Sequence, residues 1–339
     1  MVILTKKGIA NGLLVAVAVV LSYLAVEFAA RWALSDISTT GDRFSYMSRQ
    51  WYAANPPQAN KLKFREREFT HAPAPGVMRI AVVGDSFTWA PGLLENERVS
   101  NRLDAKLNSA GDLRFEVLNF GVSGANYEQH EVNMRLAIQS ANPHFILLQW
   151  YLNDLDDPEE PLPRPMRLAG FLHRELTAVS VLYWLAARAF DEAQIKMGKI
   201  DVDAYYARFL NPDDPLARRG DERFRDLIQV AREAGVPIGV YMWPELTRPL
   251  GTSPNDALIK HMLVLCEEEH IVCVDLSSAL RAEKQHERLI VNRFDTHASA
   301  EANDLAADLL VVRFGEGWRA EARKIASGSR PETIGRVVQ

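Results

Sequence analysis

The spacing of apolar and polar positions divides the chain into stretches of different character. Gly8 to Val26 (GIANGLLVAVAVVLSYLAV) is a run of 19 residues without a charge. As a helix at about 1.5 Å per residue it reaches about 28 Å, close to the hydrocarbon thickness of a bilayer. Lys6 and Lys7 precede it, which favours a cytoplasmic amino terminus and puts the rest of the chain outside. Glu27 and Arg31 follow at i, i+4 spacing and can pair at the interface. A cleaved signal peptide fits less well, because its apolar region usually runs about 7–15 residues and no A-x-A site closes this one. A buried core helix is the third reading.

Residues 35–76 carry Gly, Pro, Asn and charges without a long period, and read as a juxtamembrane connector packing partly on a domain edge. From Met78 the pattern becomes alternating strands and helices. Short apolar, β-branched runs fall at Arg79–Val83, Phe115–Phe120, Phe145–Trp150, Pro237–Met242 and Ile271–Asp275. Helical spacing separates them over Glu97–Ser109, Tyr127–Gln139, Arg223–Glu233 and Ala257–Glu269, and again from Ser299 to about Phe314. Strands divided by helices of this length need crossover connections, so the expected architecture is a three-layer α/β/α sandwich around a parallel sheet. Residues 158–221 interrupt the alternation as an insertion. It opens Pro-rich and continues as an apolar helix, Phe171–Phe190, whose Arg174, Glu175 and Arg188 argue against a second membrane span. That helix reads as cover for the sheet, or as a lid touching substrate or the membrane surface. Residues 315–339 read as a polar tail.

Composition narrows the class. The 339 residues are 47% apolar and 24% charged with a net charge of −5, which is globular chemistry rather than disorder. No Lys/Arg stripe marks a nucleic-acid surface. Cys266 and Cys273 lack the partners of a redox or zinc motif and read as small core residues, with one bridge left open. No cofactor loop is present: Gly84 to Gly92 matches neither a dinucleotide nor a P-loop pattern, so neither cofactor nor metal is expected.

Ligands of an open parallel sheet bind beyond the carboxyl ends of its strands. There the sequence has Gly84-Asp85-Ser86-Phe87 after the first strand and Gly121-Val122-Ser123-Gly124-Ala125-Asn126 after the second. Tyr151-Leu152-Asn153-Asp154 follows the third, and Asp295-Thr296-His297 precedes the last helix. Each group suits acyl transfer. Ser86 at a strand-to-helix turn is a candidate nucleophile that needs a base. His297 can take its proton and later return it to a leaving group, while Asp295, two residues earlier, orients the ring. The backbone N–H groups of Ser86 and Gly124 and the side-chain amide of Asn153 are candidate oxyanion donors. Asp85 reads as a structural turn residue. Asp156, Asp157, Glu159 and Glu160 read as a solvated acidic turn rather than a cation site, and Trp243 as packing more than pocket wall.

Together GDSF, N-x-G-x-S-G, the Asn-Asp pair and D-x-H resemble the blocks of the SGNH/GDSL hydrolase superfamily, over roughly residues 77–314 without the insertion. The likeness is strongest to membrane-anchored bacterial members. It implies a flavodoxin-like fold and a metal-free serine esterase or acyltransferase. It puts the nucleophile on Ser86, the oxyanion residues on Gly124 and Asn153, and the base on His297. Tyr151 stands where the family's third block has glycine, and Asp295 precedes His297 by two residues with Ala298 after it, where the family often has D-x-x-H-P. The expected protein is therefore a single-pass protein of a bacterial inner membrane. Residues 1–34 would form the cytoplasmic end and anchor, and 77–314 a periplasmic domain that cleaves an ester on a small molecule, lipid or glycan. O-acyl transfer to an envelope polysaccharide and a non-catalytic anchored binding protein are the alternatives.

Overall fold

The computed structural model describes residues 6–163, 165–166, 170–249, 252–281 and 286–328. It forms two compact units, Met1–Ala54 with Arg164–Ile200, and Asn55–Pro163 with Asp201–Gln339. In chain order the elements begin with α1 (Lys6–Ala33), α2 (Tyr46–Ala54), β1 (Val77–Gly84), α3 (Ser86–Trp89), α4 (Val99–Asn108) and β2 (Arg114–Gly121). Then come α5 (Tyr127–Ala141), β3 (Phe145–Trp150), α6 (Gly170–Val179), α7 (Val181–Lys196), α8 (Val202–Ala207) and α9 (Pro215–Glu233). The chain continues with β4 (Ile238–Met242), α10 (Pro254–Glu268), β5 (Val272–Asp275), α11 (Ser277–Arg281), β6 (Ile290–Asn292), β7 (Asp295–Ala298) and α12 (Ala300–Ala326).

In the larger unit five parallel strands run in the order β2-β1-β3-β4-β5, the flavodoxin-like arrangement. All five strands expected from sequence are present. β1 is buried along its whole length, as a strand covered on both faces must be. Its side chains alternate between two cores. Ala81 and Val83 join Leu118, Ile146 and Leu148 with Met134, Phe224 and Leu227, while Ile80 and Val82 join Val117 and Leu147 with Leu103, Leu107 and Leu310. These are the three layers the alternation predicted. β6 and β7 form a separate antiparallel pair.

Several boundaries differ from the sequence reading. The last helix does not stop at Phe314 but runs to Ala326 with Trp318 and Ala322 buried, so the expected tail is helical for its first twelve residues, Gly315 to Ala326. Phe314 stacks on Trp318 with ring centroids 5.0 Å apart, an i, i+4 aromatic pair that carries the helix onward. α9 begins at Pro215, capped by the Asp214 carboxylate, which accepts the Leu216 N–H at 2.9 Å; Asp-Pro is a helix start that the insertion reading passed over. The 158–221 stretch is thus not one body: 201–221 belongs to the larger unit. The connector divides as well, with 55–76 in the larger unit and 35–54, including α2, in the smaller.

The smaller unit contains α1, α2, α6 and α7. Among the described residues α1 alone is long and apolar enough to cross a membrane, over Ile9–Ala33. The single helix expected over Phe171–Phe190 is two, broken at Ser180. That residue is extended, and its hydroxyl accepts the Tyr183 N–H at 3.0 Å as the cap of α7.

The cysteines are also corrected: Cys266 at the end of α10 and Cys273 in β5 form a disulfide. The turn between them brings the two residues together. The left-handed His270 lies within it, and the Ile271 N–H donates to the Cys266 carbonyl at 3.0 Å. Replacing both cysteines by serine should lower the unfolding free energy by about 2 kcal/mol, the value expected for so short a closed loop. A lower urea midpoint, matched by the reduced wild type, is the expected result.

Candidate active site

The order of the sheet reverses between β1 and β3, and a crevice opens there beyond their carboxyl ends. Ser86 follows β1, and Asn153 follows β3. The register sets Gly84 of β1 opposite Gly121 of β2, so the segments bearing Ser86 and Gly124 leave the sheet from one level.

Local chemistry shapes the turn at Ser86. The Asp85 N–H donates to Gln149 Oε1 at 2.8 Å, and Asp85 Oδ1 accepts the Phe87 N–H at 2.8 Å, which starts α3 with Ser86 as its first residue. A Cβ at Gly84 would lie 2.2 Å from Thr88 Oγ1 and 2.5 Å from Gln149 Oε1, so no other residue fits beneath this turn. The Asn119 amide donates to the Thr88 carbonyl at 2.7 Å, and the Arg65 guanidinium to the carbonyls of Trp89 (3.0 Å), Ala90 (2.6 Å) and Leu93 (2.6 Å). α3 has only four residues, and its free carbonyls are satisfied from outside.

His297 reaches Ser86 across the fold. Its Nε2 lies 2.9 Å from Ser86 Oγ, and its Nδ1 lies 2.5 Å from Asp295 Oδ1. The two-residue spacing, a departure from the family pattern, has a direct explanation. Asp295–Ala298 is a strand, and residues i and i+2 of a strand share a face. The same carboxylate oxygen accepts the His297 N–H at 3.2 Å, and the Asp295 N–H donates to Asn292 Oδ1 at 3.1 Å. Asp295 is buried, while the imidazole keeps 21% of its side-chain surface exposed. An oriented ring, reachable from solvent, faces a serine hydroxyl.

The remaining candidates come from the neighbouring loops. Gly124 has φ +77°, a left-handed conformation that favours glycine, and it is exposed. Asn153 Nδ2 lies 3.5 Å from the carbonyl of Ala125, the residue after Gly124, so the second and third groups share one rim. Asn126 caps α5 and also donates to the Asp156 carbonyl at 3.0 Å, tying the same two loops. Phe87 forms the floor, its ring centroid 4.4 Å from Tyr151, 5.2 Å from Trp243 and 5.4 Å from His297. Trp243 is fully buried, so packing is its role.

Below the nucleophile turn lie buried polar groups that sequence reasoning missed. His130 Nε2 and Asp154 Oδ1 are 2.8 Å apart with no solvent access, and Asp154 Oδ2 accepts the Tyr151 N–H at 3.1 Å, fixing the turn that bears Asn153. Burial, and then the nearby Asp154 carboxylate, push the Asp85 carboxyl up to about 6. The signals were Asn119 and Gln149, single amides inside the apolar runs FEVLNF and FILLQW. The acidic turn is solvated at Glu159 and Glu160, as expected, but not at its first two residues. Asp157 is buried and ion-paired to Arg219 (2.8 Å) and Arg223 (3.2 Å) of α9, and Asp156 Oδ1 accepts the Tyr206 hydroxyl at 2.7 Å. Among the described residues no group of three or more metal-ligating side chains converges.

No family model matches the chain, and no curated protein matches it in sequence. Solved structures resemble it at low identity. A member of the lipolytic protein G-D-S-L family from Veillonella parvula is 14% identical, with 70% of this chain and 98% of that one aligned at a TM-score of 0.43. A family 3 carbohydrate esterase from Clostridium thermocellum is 14% identical over 73% and 99% of the two chains, TM-score 0.41. A lipase/acylhydrolase from Enterococcus faecalis is 12% identical over 75% and 98%, TM-score 0.41. At such values the chemistry has to be read from the side chains themselves.

The Asp85 carboxyl carries a pH prediction. Its folded value of about 6 exceeds the ordinary 3.8, so the native state holds the proton longer than the unfolded chain does. The neutral form's stability is fully present below pH about 4 and is lost as pH rises through about 6. Asp85→Asn keeps an acceptor for the Phe87 N–H and removes that loss. The variant should gain thermal stability relative to wild type at pH 8 and little or none at pH 4; an equal effect at both would contradict the assignment.

Proposed function

We propose that the protein is a membrane-anchored serine esterase of the SGNH/GDSL type, acting through an acyl-enzyme on Ser86. The observation that carries this is the continuous relay from Asp295 through His297 to Ser86, at 2.5 Å and 2.9 Å. It joins residues 211 positions apart at the one sheet edge where an open parallel fold receives ligands. A structural histidine has no need of a serine hydroxyl on one side and a buried carboxylate on the other. The contact therefore also counts against the non-catalytic alternative.

The chemistry follows from these groups. His297 Nε2 accepts the Ser86 proton as Oγ attacks the ester carbonyl, and the Oγ–C bond forms while the carbonyl π pair moves onto oxygen. The backbone N–H groups of Ser86 and Gly124 and the Asn153 amide are the donors available to that oxyanion. Collapse expels the alcohol, which takes the proton from His297, and leaves the acyl group on Ser86. Water repeats the sequence in reverse: His297 accepts its proton, the acid departs, and Ser86 recovers its hydrogen. Asp295 holds the imidazole in the required tautomer and stabilises its cation, and no other group is required.

The setting supports an extracytoplasmic domain on the membrane. Lys6 and Lys7 lie on the amino-terminal side of α1. The Cys266–Cys273 disulfide forms and persists in an oxidising compartment, such as the periplasm, and is rare in a reducing cytosol. The substrate we propose is an ester-bearing small molecule, lipid or glycan on that side.

Ser86→Ala should reduce turnover of 4-nitrophenyl acetate by about 10³-fold or more and abolish labelling by a fluorophosphonate probe. Labelling that persists in this variant would sink the assignment of the nucleophile. Asn153→Ala should lower kcat by about 10²–10³-fold with KM little changed, as removal of one oxyanion donor does. A change confined to KM would instead make Asn153 a ground-state binding residue.

A further inference from the structure

The smaller unit shows how α7 is held. The Glu27 carboxylate, on α1, accepts the N–H groups of Val181 (2.8 Å) and Leu182 (3.0 Å) and the Ser180 hydroxyl (3.0 Å). These are first-turn donors of α7 that its own backbone cannot satisfy, and an anion there also complements the helix dipole. One turn earlier the Tyr23 hydroxyl meets Ser180 Oγ at 2.7 Å, and one turn later Arg31 pairs with Glu27 (2.8 Å) and donates to the Val179 carbonyl (2.6 Å). Glu27 is 5% exposed despite sitting on an otherwise bare helix. Cleaving α1 away would strip α7 of its cap, so the clasp speaks for an anchor retained in the mature chain.

The clasp also sets a depth. The uncharged run of α1 ends at Val26, and Glu27 is the next residue. Phe28 and Trp32, 74% and 76% exposed, stand at the same level, where aromatic side chains favour a bilayer interface. From that level α7 extends for about 24 Å at the helical rise per residue. Beyond its first turn one face is open: Ala186, Ala189, Phe190, Ala193 and Met197 are all exposed. Their spacing of three and four residues puts them on a single stripe that continues from Leu182. Lys196 alone borders it, at its far end, where a long stem can lie along an apolar face with the ammonium in the headgroups; Arg188 and Glu192 pair with each other off the stripe, and Ile195 lies on the opposite side.

We propose that α7 is an interfacial helix, clasped to the membrane anchor through Glu27 and laying its Leu182–Ala186–Phe190–Met197 face on the lipid of the outer leaflet. This rests on the reading of α1 as a membrane span. An amphipathic helix held at the headgroup level buries such a face in the acyl boundary, and its position is dictated by the anchor rather than by charge. Lipid is the occupant because the stripe starts at Leu182, whose N–H is held by Glu27, the residue that follows the apolar run of α1.

The test uses the full chain in vesicles of phosphatidylcholine and phosphatidylglycerol. The two native cysteines are paired, so an introduced cysteine is the only free thiol. Nitroxide labels go on Phe190→Cys and Met197→Cys (stripe), Ile195→Cys (opposite face) and Val17→Cys (anchor). Collision with oxygen is then compared with collision with a water-soluble nickel chelate. The oxygen-to-nickel ratio at 190 and 197 should exceed that at 195 by about threefold or more, with 17 in the hydrocarbon. If 190 and 197 match 195 while 17 reports lipid, the interfacial helix is wrong and the anchor stands. If 17 itself reports water, the anchor reading fails and takes the inference with it. If 190 and 197 are shielded from both reagents and their spectra broaden through label–label contact, a second copy covers the stripe and lipid does not.

Discussion

The arrangement at Ser86 depends on a steric constraint beneath it. β1 must end in a residue without a side chain, because Gln149 and Thr88 occupy the space a Cβ would need at Gly84. Gln149 reaches across from β3 to take the Asp85 N–H, and Asp85 turns its carboxylate back to take the N–H of Phe87. Ser86 is left as the first residue of a four-residue helix whose far end is held by Asn119 and Arg65. His297 then needs only a strand of four residues with an aspartate on the same face to meet it. The site is built from short segments, each fixed by a hydrogen bond from a different part of the sheet. That is how a hydroxyl and an imidazole far apart in sequence are held within one bond length of proton transfer.

This construction costs stability. Asp85, Asp154 and His130 are buried below the turn, and Asp85 Oδ2 lacks a hydrogen-bond partner among the described residues. Ionising a carboxyl there is unfavourable because burial removes its water and because Asp154 lies nearby. The compensation is geometric. Asp154 holds the Tyr151 N–H and His130, so the loop bearing Asn153 has one conformation instead of several. Tyr151 packs against Phe87, the two rings tilted by 44° with centroids 4.4 Å apart. A buried network of this kind is weak support for stability but a good means of fixing positions.

What was legible in the sequence was whatever repeats or whatever reacts. Strands covered on both faces are continuous apolar runs, so all five were visible, and three of the reactive groups stood out because each follows a strand, the fourth because it precedes the last helix. Elements held by single long-range contacts were not. Arg65 and Glu66 lie in a run of charges that reads as a connector packing only partly on a domain edge, yet both are buried: Arg65 caps carbonyls after α3, and Glu66 accepts the Asn119 N–H at 2.8 Å. The acidic turn after Asn153 looked solvated because its partners, Arg219 and Arg223, are more than sixty residues away. The break between α6 and α7 rests on one serine cap, which a periodicity reading averages away. The continuation of α12 rests on aromatic stacking between Phe314 and Trp318, which appears only once Phe145 supplies the surface they pack on.

The two units share one device, a carboxylate that accepts backbone N–H groups. In the larger unit Asp85 takes the Phe87 N–H after β1 and Asp154 the Tyr151 N–H after β3. In the smaller unit Glu27 takes the open donors of α7 at the point where the uncharged run of α1 ends. A buried carboxylate is expensive unless its oxygens are occupied, and here they accept two amides, a hydroxyl and a guanidinium. Among the described residues of α1, Glu27 is the buried charge, and it seats a second helix, while in the larger unit Asp295, His297 and Ser86 form one hydrogen-bonded line.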